Sequence, residues 1–187
     1  MGFDSAIEGS ITSRDTVSIG QESTVGEGVS AEGAVTVGSQ STVEGTVTSQ
    51  DTVTLEEDST VGEAINADGS VTMEPRSTAE SIESGDTVLV AQNAIVEGDV
   101  VASQSVELGY QNDFGGTVEG DVTAGGDVSV PQDGRVGGDV TSEGTVELGF
   151  EGIIEGGAFV SSASNIICGQ GSTIDGEPCE EYVTENY

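Results

Sequence analysis

Large apolar residues return at a fixed spacing along almost the whole chain. The stretch from Val118 to Leu148 holds two copies of V-x-G-D-V, five residues, then V-x-[VL], and the copies start eighteen residues apart. Counted from the first Val, large apolar residues occupy repeat positions 1, 5, 11 and 13, while positions 7 and 17 are small. Inward positions thus come in pairs, 5 with 7, 11 with 13 and 17 with 1, which predicts three short strands per repeat.

The same register extends over ten repeats, which we call rungs. They start at Ile7, Val25, Val43, Val61, Ala79, Val96, Val118, Val136, Ile154 and Ile174. The fifth rung is one residue short, four residues are inserted before Val118, and the ninth is read as Ile154, Val160, Ile166 and Cys168, with two extra residues around Ala158 and Phe159. Gly, Asp and Pro gather at positions 3, 9 and 14, where the special dihedrals of corners are expected.

This pattern predicts an all-β, single-domain triangular β-helix (a β-solenoid) of about nine to ten rungs with an eighteen-residue repeat. We expect a short N-terminal tail (1–6), the β-helix domain (7–176) and a C-terminal tail (177–187). The inward Val and Ile residues should form one aliphatic column.

The charge changes the list of plausible partners. The formal net charge is -32, with three Arg (Arg14, Arg76 and Arg135), no Lys and no His. So few cations cannot neutralise phosphates, which disfavours nucleic acid and anionic membranes. Dense carboxylates are typical of salt-adapted surfaces, because molar salt screens them. We find neither a secretory signal nor a membrane span in the sequence, so a cytoplasmic location is expected.

The V-E-G-D-V units at Val96 and Val118 and the V-G-G-D-V unit at Val136 resemble the bactofilin family of polymer-forming cytoskeletal proteins. The acidic composition is similar to that of its haloarchaeal members, the halofilins. The resemblance implies a right-handed β-helix that joins end to end into nucleotide-independent filaments and supports cell shape. The eighteen-residue period by itself would also suit a left-handed hexapeptide helix.

The expected polymer interface lies at the two ends, because an uncapped solenoid exposes strand edges and core. At the first end these residues are Ile7, Ile11, Val17 and Ile19, and at the other Ile166, Cys168 and Ile174. The partner is then a second copy of the chain, with a membrane-anchored paralogue as a further partner near the membrane.

Enzymatic chemistry has little support, because the chain has neither the His nor the Lys that could activate a Ser. We expect no catalytic residue, cofactor or metal. Asp99, Asp121 and Asp139 share one repeat position and are weak metal candidates, against the simpler interpretation of a solvated corner. Thr ladders at positions 10 and 12, including Thr36, Thr54 and Thr72, are explained by β-propensity or, less readily, by ice binding.

Two features stay open at this point. The insertion places Tyr110 and Phe114 on a loop (109–117) that either folds back on the rod or binds a partner. The alternative function is accordingly a non-polymerising scaffold or binding module that uses this loop or the acidic face. Cys168 is expected as a small core residue and Cys179 as a residue of the tail, since two Cys do not suggest a disulfide framework.

Overall fold

The chain forms a β-solenoid with one short helix at its C-terminal end. The computed structural model describes residues 1–110 and 114–187. The strands are β1 (Ala6–Ile7), β2 (Ile11–Ser13), β3 (Val17–Ile19), β4 (Thr24–Val25), β5 (Val29–Ala31), β6 (Val35–Val37), β7 (Thr42–Val43), β8 (Val47–Ser49), β9 (Val53–Leu55), β10 (Thr60–Ala67), β11 (Val71–Met73), β12 (Thr78–Ser84), β13 (Val88–Val90), β14 (Ile95–Val96), β15 (Val100–Ala102), β16 (Val106–Glu107), β17 (Thr117–Val118), β18 (Val122–Ala124), β19 (Val128–Val130), β20 (Arg135–Val136), β21 (Val140–Ser142), β22 (Val146–Leu148), β23 (Ile153–Ile154), β24 (Ala158–Phe159), β25 (Ile166–Cys168), β26 (Thr173–Ile174) and β27 (Glu177–Pro178). A 3₁₀ turn spans Ala163–Asn165, and helix α1 spans Cys179–Asn186.

The strands stack in three columns, which form the faces of the solenoid. Face 1 holds positions 18 and 1, face 2 holds positions 5 to 7, and face 3, of nine strands, holds positions 11 to 13. Stacked strands are parallel and pair equivalent residues one repeat apart, as Val25 pairs with Val43 and Val29 with Val47. The predicted solenoid of about nine turns with an eighteen-residue repeat is confirmed, and its stack is about 40 Å long at the usual strand spacing.

The core is the expected column of aliphatic side chains. Residues at positions 1, 5, 11 and 13 are fully buried through the middle rungs, as Val118, Val122, Val128 and Val130 are in the seventh. Small residues fill positions 7 and 17, many of them buried Ser whose hydroxyls donate to backbone carbonyls. Burying this column, at about 1.5 to 3 kcal/mol per large side chain, is the main term that opposes chain entropy.

Two of the three predicted irregularities lie where they were expected. The residue missing from the fifth rung is missing in the corner between faces 1 and 2. Strands β10 and β12 continue through this corner without a break, and the register of their pairing shifts after Val61. The insertion falls between Gly109 and Phe114, because Phe114 already bridges to Gln132 of the next rung. Residues 111–113 of the insertion lie outside the described residues.

The predicted assignment of inward residues in the ninth rung is wrong. Ala158, and not Val160, takes the inward position 5, because it pairs with Val140 and is fully buried. Val160 follows at position 7, so the two extra residues belong to the next corner, which the 3₁₀ turn Ala163–Asn165 occupies. The error arose because an Ala in an inward position is less conspicuous than a nearby Val.

The corner glycines have a different role from the one expected. Positive φ angles occur at position 16, mostly on residues other than glycine; these are Asp4, Glu22, Gln40, Asp58, Arg76, Asn93, Asp133 and Glu151, and Gly171 holds the same position in the ninth rung. Glycine at position 14 is required by close approach instead, and Gly109 alone among the described position-14 glycines also has a positive φ, 130°. A Cβ on Gly38 would lie 2.6 Å from the carbonyl oxygen of Ile19 in the rung before it. Tight stacking, rather than an unusual dihedral, selects glycine there.

Candidate functional site

The N-terminal segment continues the solenoid instead of forming the expected tail (1–6). The Asp4 amide donates to the Gln21 carbonyl at 3.0 Å, and the Ser5 amide donates to the Ser23 hydroxyl at 3.1 Å. Met1 packs against the end of the core, one repeat before Ile19. Ile19 is consequently only 1% exposed.

The first rung presents a mixed surface. Of the four residues expected there, Val17 and Ile19 are buried, whereas Ile7 and Ile11 are partly exposed. Together with Met1 they border an open concavity of about 400 Å³. Strand β2 pairs only with β5 among the described strands. Because backbone groups alternate in direction along a strand, the amide and carbonyl of Thr12 point away from β5, toward this open side.

The opposite end is closed by a cap, which we define as residues 175–187. After Ile174 the chain reverses at Asp175 and Gly176, whose φ angles are 51° and 74°. Strand β27 then runs antiparallel to β26, and α1 follows directly. Tyr182 of α1 is 7% exposed and packs against the core. The segment expected to be a C-terminal tail (177–187) is thus a folded cover.

Two tyrosine hydroxyls of the cap form hydrogen bonds with backbone groups of β24, the last strand of face 2, and of the residue that follows it. The Tyr182 hydroxyl accepts a hydrogen bond from the Ala158 amide at 3.1 Å. The Tyr187 hydroxyl accepts one from the Val160 amide at 3.1 Å and donates one to the Ala158 carbonyl at 2.9 Å. In earlier rungs these groups face the following rung, as the Val140 amide donates to Gly157. The tyrosines therefore take the place of a further strand and protect an edge.

A disulfide between Cys168 and Cys179 fastens the cap to β25, with 5.7 Å between the two Cα atoms. The expectation that Cys168 is simply a small core residue is therefore wrong, and Cys179, whose state the sequence left open, is its disulfide partner. Cys168 stacks below Leu148, but at the end of the solenoid its sulfur bonds to the first residue of α1. In the chain-entropy account, closing a loop of this length contributes about 3 kcal/mol.

The cap covers the expected polymer interface at this end. Ile174 is fully buried and Ile166 is 8% exposed, while Cys168 is used by the disulfide. These residues were expected at an open edge because residues 177–187 do not continue the repeat and contain no obvious capping element. An incoming copy could stack here only after the cap had moved away.

The three aspartates proposed as weak metal candidates have a structural role. The Oδ1 atom of Asp99 accepts the Asp121 amide at 2.9 Å, that of Asp121 accepts the Asp139 amide at 2.8 Å, and that of Asp139 accepts the Gly157 amide at 2.8 Å. Each carboxylate thus links one rung to the next. Within residues 1–110 and 114–187, no cluster of three or more Cys, Asp or Glu side chains is arranged to hold a metal ion.

This aspartate ladder also explains the glycine of the V-x-G-D-V motif. A Cβ on Gly138 would collide with Oδ1 of Asp121, and one on Gly120 with Oδ1 of Asp99. Position 3 must therefore be glycine wherever the preceding rung carries the aspartate. In the first rung, where no such neighbour is present, a Cβ on Gly9 would meet nothing within 4 Å.

The insertion loop leaves aromatic side chains at the surface. Tyr110 and Phe114 are 44% and 50% exposed, and Phe150 lies further along the same corner. Phe114 continues the corner as the parallel partner of Gln132 and does not fold back over a face. Burial, together with the carboxylate of Glu74, raises the pKa of the Tyr110 phenol.

The threonine ladder of face 3 is short. Thr36, Thr54 and Thr72 stack in register, and Leu89 interrupts the column at the next rung. Face 1 carries a second column, Thr24, Thr42, Thr60 and Thr78, which Ile95 ends. Position 12 is thus explained by the strand preference of Thr, with no continuous array.

Two sequence signals for the cap were present. Asp-Gly is a strong hairpin signal, because both residues accept positive φ, and Asp175-Gly176 follows the last apolar residue of the register. The two cysteines lie on either side of that dipeptide, so a reversal there brings them together.

Comparison with known proteins identifies no relative. No family model matches the chain, and neither a curated protein nor a solved structure is significantly similar to it. Among the described residues, no helix has both the length and the apolar character needed to cross a bilayer.

Proposed function

We propose that this chain is a self-assembling structural protein that joins other copies through the ends of its solenoid and acts as a filamentous scaffold in cell-shape maintenance. The observation that carries the proposal is the first rung, whose strand β2 has one unpaired side and whose Ile7 and Ile11 are partly exposed. A second first rung would cover both. Burying such an edge together with apolar side chains favours association.

The capped C-terminal end limits how far this assembly can go. Two first rungs can meet around a two-fold axis, which gives a closed pair. An open filament also needs the C-terminal end, where the cap now occupies the edge of β24. The capped chain should therefore stop at a dimer, and a filament requires the cap to be displaced.

The test compares matched charge substitutions on face 2. Ile11→Asp places a carboxylate in the open first rung, whereas Ser30→Asp adds the same charge at an exposed outward position of the second rung. At molar salt, light scattering should find dimers for wild type and Ser30→Asp and monomers for Ile11→Asp. A monomeric wild type across concentration and salt would overturn the proposal.

Salt is part of the proposed behaviour. With a formal net charge of -32, two copies repel strongly unless salt screens them. Dilution from molar to about 0.01 M salt, where the Debye length reaches about 30 Å, should dissociate the dimers. Assembly that is indifferent to salt would contradict this part of the proposal.

The location we propose is the cytoplasm, and the two cysteines provide a test of it. The cytoplasm keeps most thiols reduced, whereas the Cys168–Cys179 bond is typical of oxidising surroundings. A cytoplasmic chain should therefore carry two thiols, and an exported one a disulfide. Trapping free thiols with a maleimide in intact cells distinguishes the two locations.

The second candidate is a non-polymerising scaffold that binds a partner through the exposed aromatic side chains of Tyr110 and Phe114. The observation in its favour is that Phe114 stays at the surface beside Gln132. Phe114→Asp should then abolish partner binding, whereas Ile11→Asp should leave both partner binding and the oligomeric state unchanged.

A further inference from the structure

We propose that the Cys168–Cys179 disulfide controls whether the C-terminal end can join another copy, so that a dithiol reductant converts a capped rod into one that assembles at both ends. This inference rests on the proposed function, since it concerns the second of the two ends. It assigns to the two cysteines a role in assembly and not only in stability.

The cap occupies the groups that an incoming rung would need. The Ala158 amide and carbonyl and the Val160 amide all bind tyrosine hydroxyls of the cap. Strand β27 also covers the outer side of β26. Displacing the cap would free parallel strand edges of faces 1 and 2, together with the side chains of Ile166 and Ile174.

Apart from the disulfide, few contacts hold the cap on the end of the solenoid, so we expect the disulfide to determine whether the cap stays there. Helix α1 has eight residues, and a helix so short is marginal without tertiary contacts. Besides the disulfide, it is held by a hydrogen bond from the Cys179 amide to the Ser172 carbonyl at 3.0 Å, by packing of Tyr182 and Val183, and by the Tyr187 hydroxyl just after the helix. The cap carries the carboxylates Asp175, Glu177, Glu180, Glu181 and Glu185, and none of the ion pairs found among the described residues joins it to the solenoid.

A reductant can approach the bond. An open concavity of about 420 Å³, bordered by Gly169, Gly171, Ser172 and Cys179, lies beside it. Cys168 is partly exposed, whereas Cys179 is 2% exposed. Of the two cysteines, Cys168 is thus the more exposed residue.

The chemistry is a two-electron thiol–disulfide exchange with a dithiol. One thiolate of the dithiol attacks the Cys168 sulfur, the Cys168–Cys179 bond breaks, and the Cys179 sulfur leaves as a thiolate that takes up a proton. The second thiol of the reductant then displaces Cys168 from the mixed disulfide. The protein ends with two thiols and the reductant with one disulfide, so two electrons and two protons have passed to the protein.

Reduction should raise the population of the uncapped form by about 100-fold, which corresponds to the loop-closure contribution of a bond of this span. Association with a second copy would then hold the end open. The expected readout is a change from dimers to filaments.

The experiment uses the full-length chain at molar salt in three forms: wild type oxidised, wild type treated with dithiothreitol, and the variant C168S/C179S. Because the chain has two Cys, a maleimide–polyethylene glycol gel shift measures the reduced fraction without interference. Electron microscopy and light scattering then measure assembly. The expected result is dimers for the oxidised chain and filaments for the other two forms.

A fourth form, C168S/C179S/Y182E, separates this inference from the proposed function, because a carboxylate at the buried position of Tyr182 should detach α1 without any redox change. Filaments from this form but not from the reduced wild type would overturn the redox control and leave the proposed function standing. Filaments from the oxidised wild type would also overturn it. Absence of assembly in all four forms would overturn the proposed function, and with it this inference.

Discussion

The carboxylate of Asp121 accepts a hydrogen bond from the backbone amide of Asp139, one rung further on, at 2.8 Å. The Asp139 carboxylate in turn accepts the amide of Gly157. A side chain that reads as a solvated acidic corner in the sequence therefore acts as a link in the stack. Since Oδ1 occupies the space where a Cβ on Gly138 would lie, the Asp of one rung and the Gly of the next form one structural unit.

The first prediction tests this unit with glycine substitutions at the same repeat position. Gly138→Ala should lower the free energy of unfolding by about 1 to 3 kcal/mol, because the methyl group overlaps Asp121 Oδ1 and the Gly120 carbonyl. Gly9→Ala should be neutral or slightly stabilising, since nothing lies within 4 Å of the added atom. Urea unfolding followed by circular dichroism measures both.

The double variant Asp121→Ala/Gly138→Ala, compared with the two single variants, forms a double-mutant cycle that measures the coupling between these positions. It should lose less stability than the sum of the single changes, because the first change removes one of the two overlaps. The Gly120 carbonyl remains 2.8 Å from the added Cβ, so the recovery should be partial. Strict additivity would show that the two positions are independent, contrary to the structure.

The second prediction concerns the inward and outward positions of β18. Val122→Asp places a carboxylate at a fully buried position and should cost more than about 3 kcal/mol. Thr123→Asp adds the same charge at an exposed position and should change stability by less than about 1 kcal/mol. Thermal unfolding of the two variants compares them directly. Similar losses for both would mean that the strand does not point Val122 inward.

The parts of the fold that repeat could be predicted from the sequence, because a residue in a stacked rung meets the same neighbours eighteen residues away. Val122, for example, pairs with Val100 and Val140, and all three were assigned to one position. The tight rung spacing was not visible, so the glycine at position 14 was attributed to dihedrals. The carboxylate ladder was missed for the same reason, since a hydrogen bond between Asp121 and Asp139 depends on a distance that the pattern does not contain.

The cap could not be predicted from the eighteen-residue repeat, because residues 175–187 do not follow it. Its contacts are single events: the reversal at Asp175-Gly176, the bond between the two cysteines and the hydroxyls of Tyr182 and Tyr187. Each joins residues that are unrelated in the repeat. The residues of the candidate interface consequently differ in burial, with partly exposed Ile7 and Ile11 at one end and a covered surface at the other.

The third prediction is a pH dependence carried by Asp58. The hydrogen bond from Arg76 holds the pKa of the Asp58 carboxyl below its ordinary value of 3.8. A carboxyl whose pKa is depressed on folding stabilises the protein above its unfolded pKa, and this contribution is lost as the pH falls through the folded pKa. Wild type should therefore exceed Asp58→Asn in stability at neutral pH, and the difference should disappear in strong acid.

The matched control is Asp133→Asn, because Asp133 occupies the same repeat position with the same left-handed backbone but belongs to none of the ion pairs found among the described residues. The difference in unfolding free energy between wild type and Asp133→Asn should not disappear in strong acid, unlike that between wild type and Asp58→Asn. Unfolding midpoints measured between pH 7 and about 2 make the comparison. Parallel curves for the two variants would mean that Arg76 does not act on Asp58.

The last prediction examines whether tyrosine hydroxyls protect the end of face 2. Tyr187→Phe removes the partner of the Val160 amide and the Ala158 carbonyl, and Tyr182→Phe removes that of the Ala158 amide. Both changes keep the aromatic ring, so the cap should stay in place while the freed groups bind water. Amide hydrogen exchange at Val160 should become about three- to tenfold faster in Tyr187→Phe, as expected for the loss of one hydrogen bond. Tyr110→Phe, the same change on the exposed insertion loop, should leave that rate unaltered. If Val160 exchanges equally fast in the oxidised wild type and in Tyr187→Phe, the edge is protected by something other than the hydroxyl, and the cap does not replace a strand.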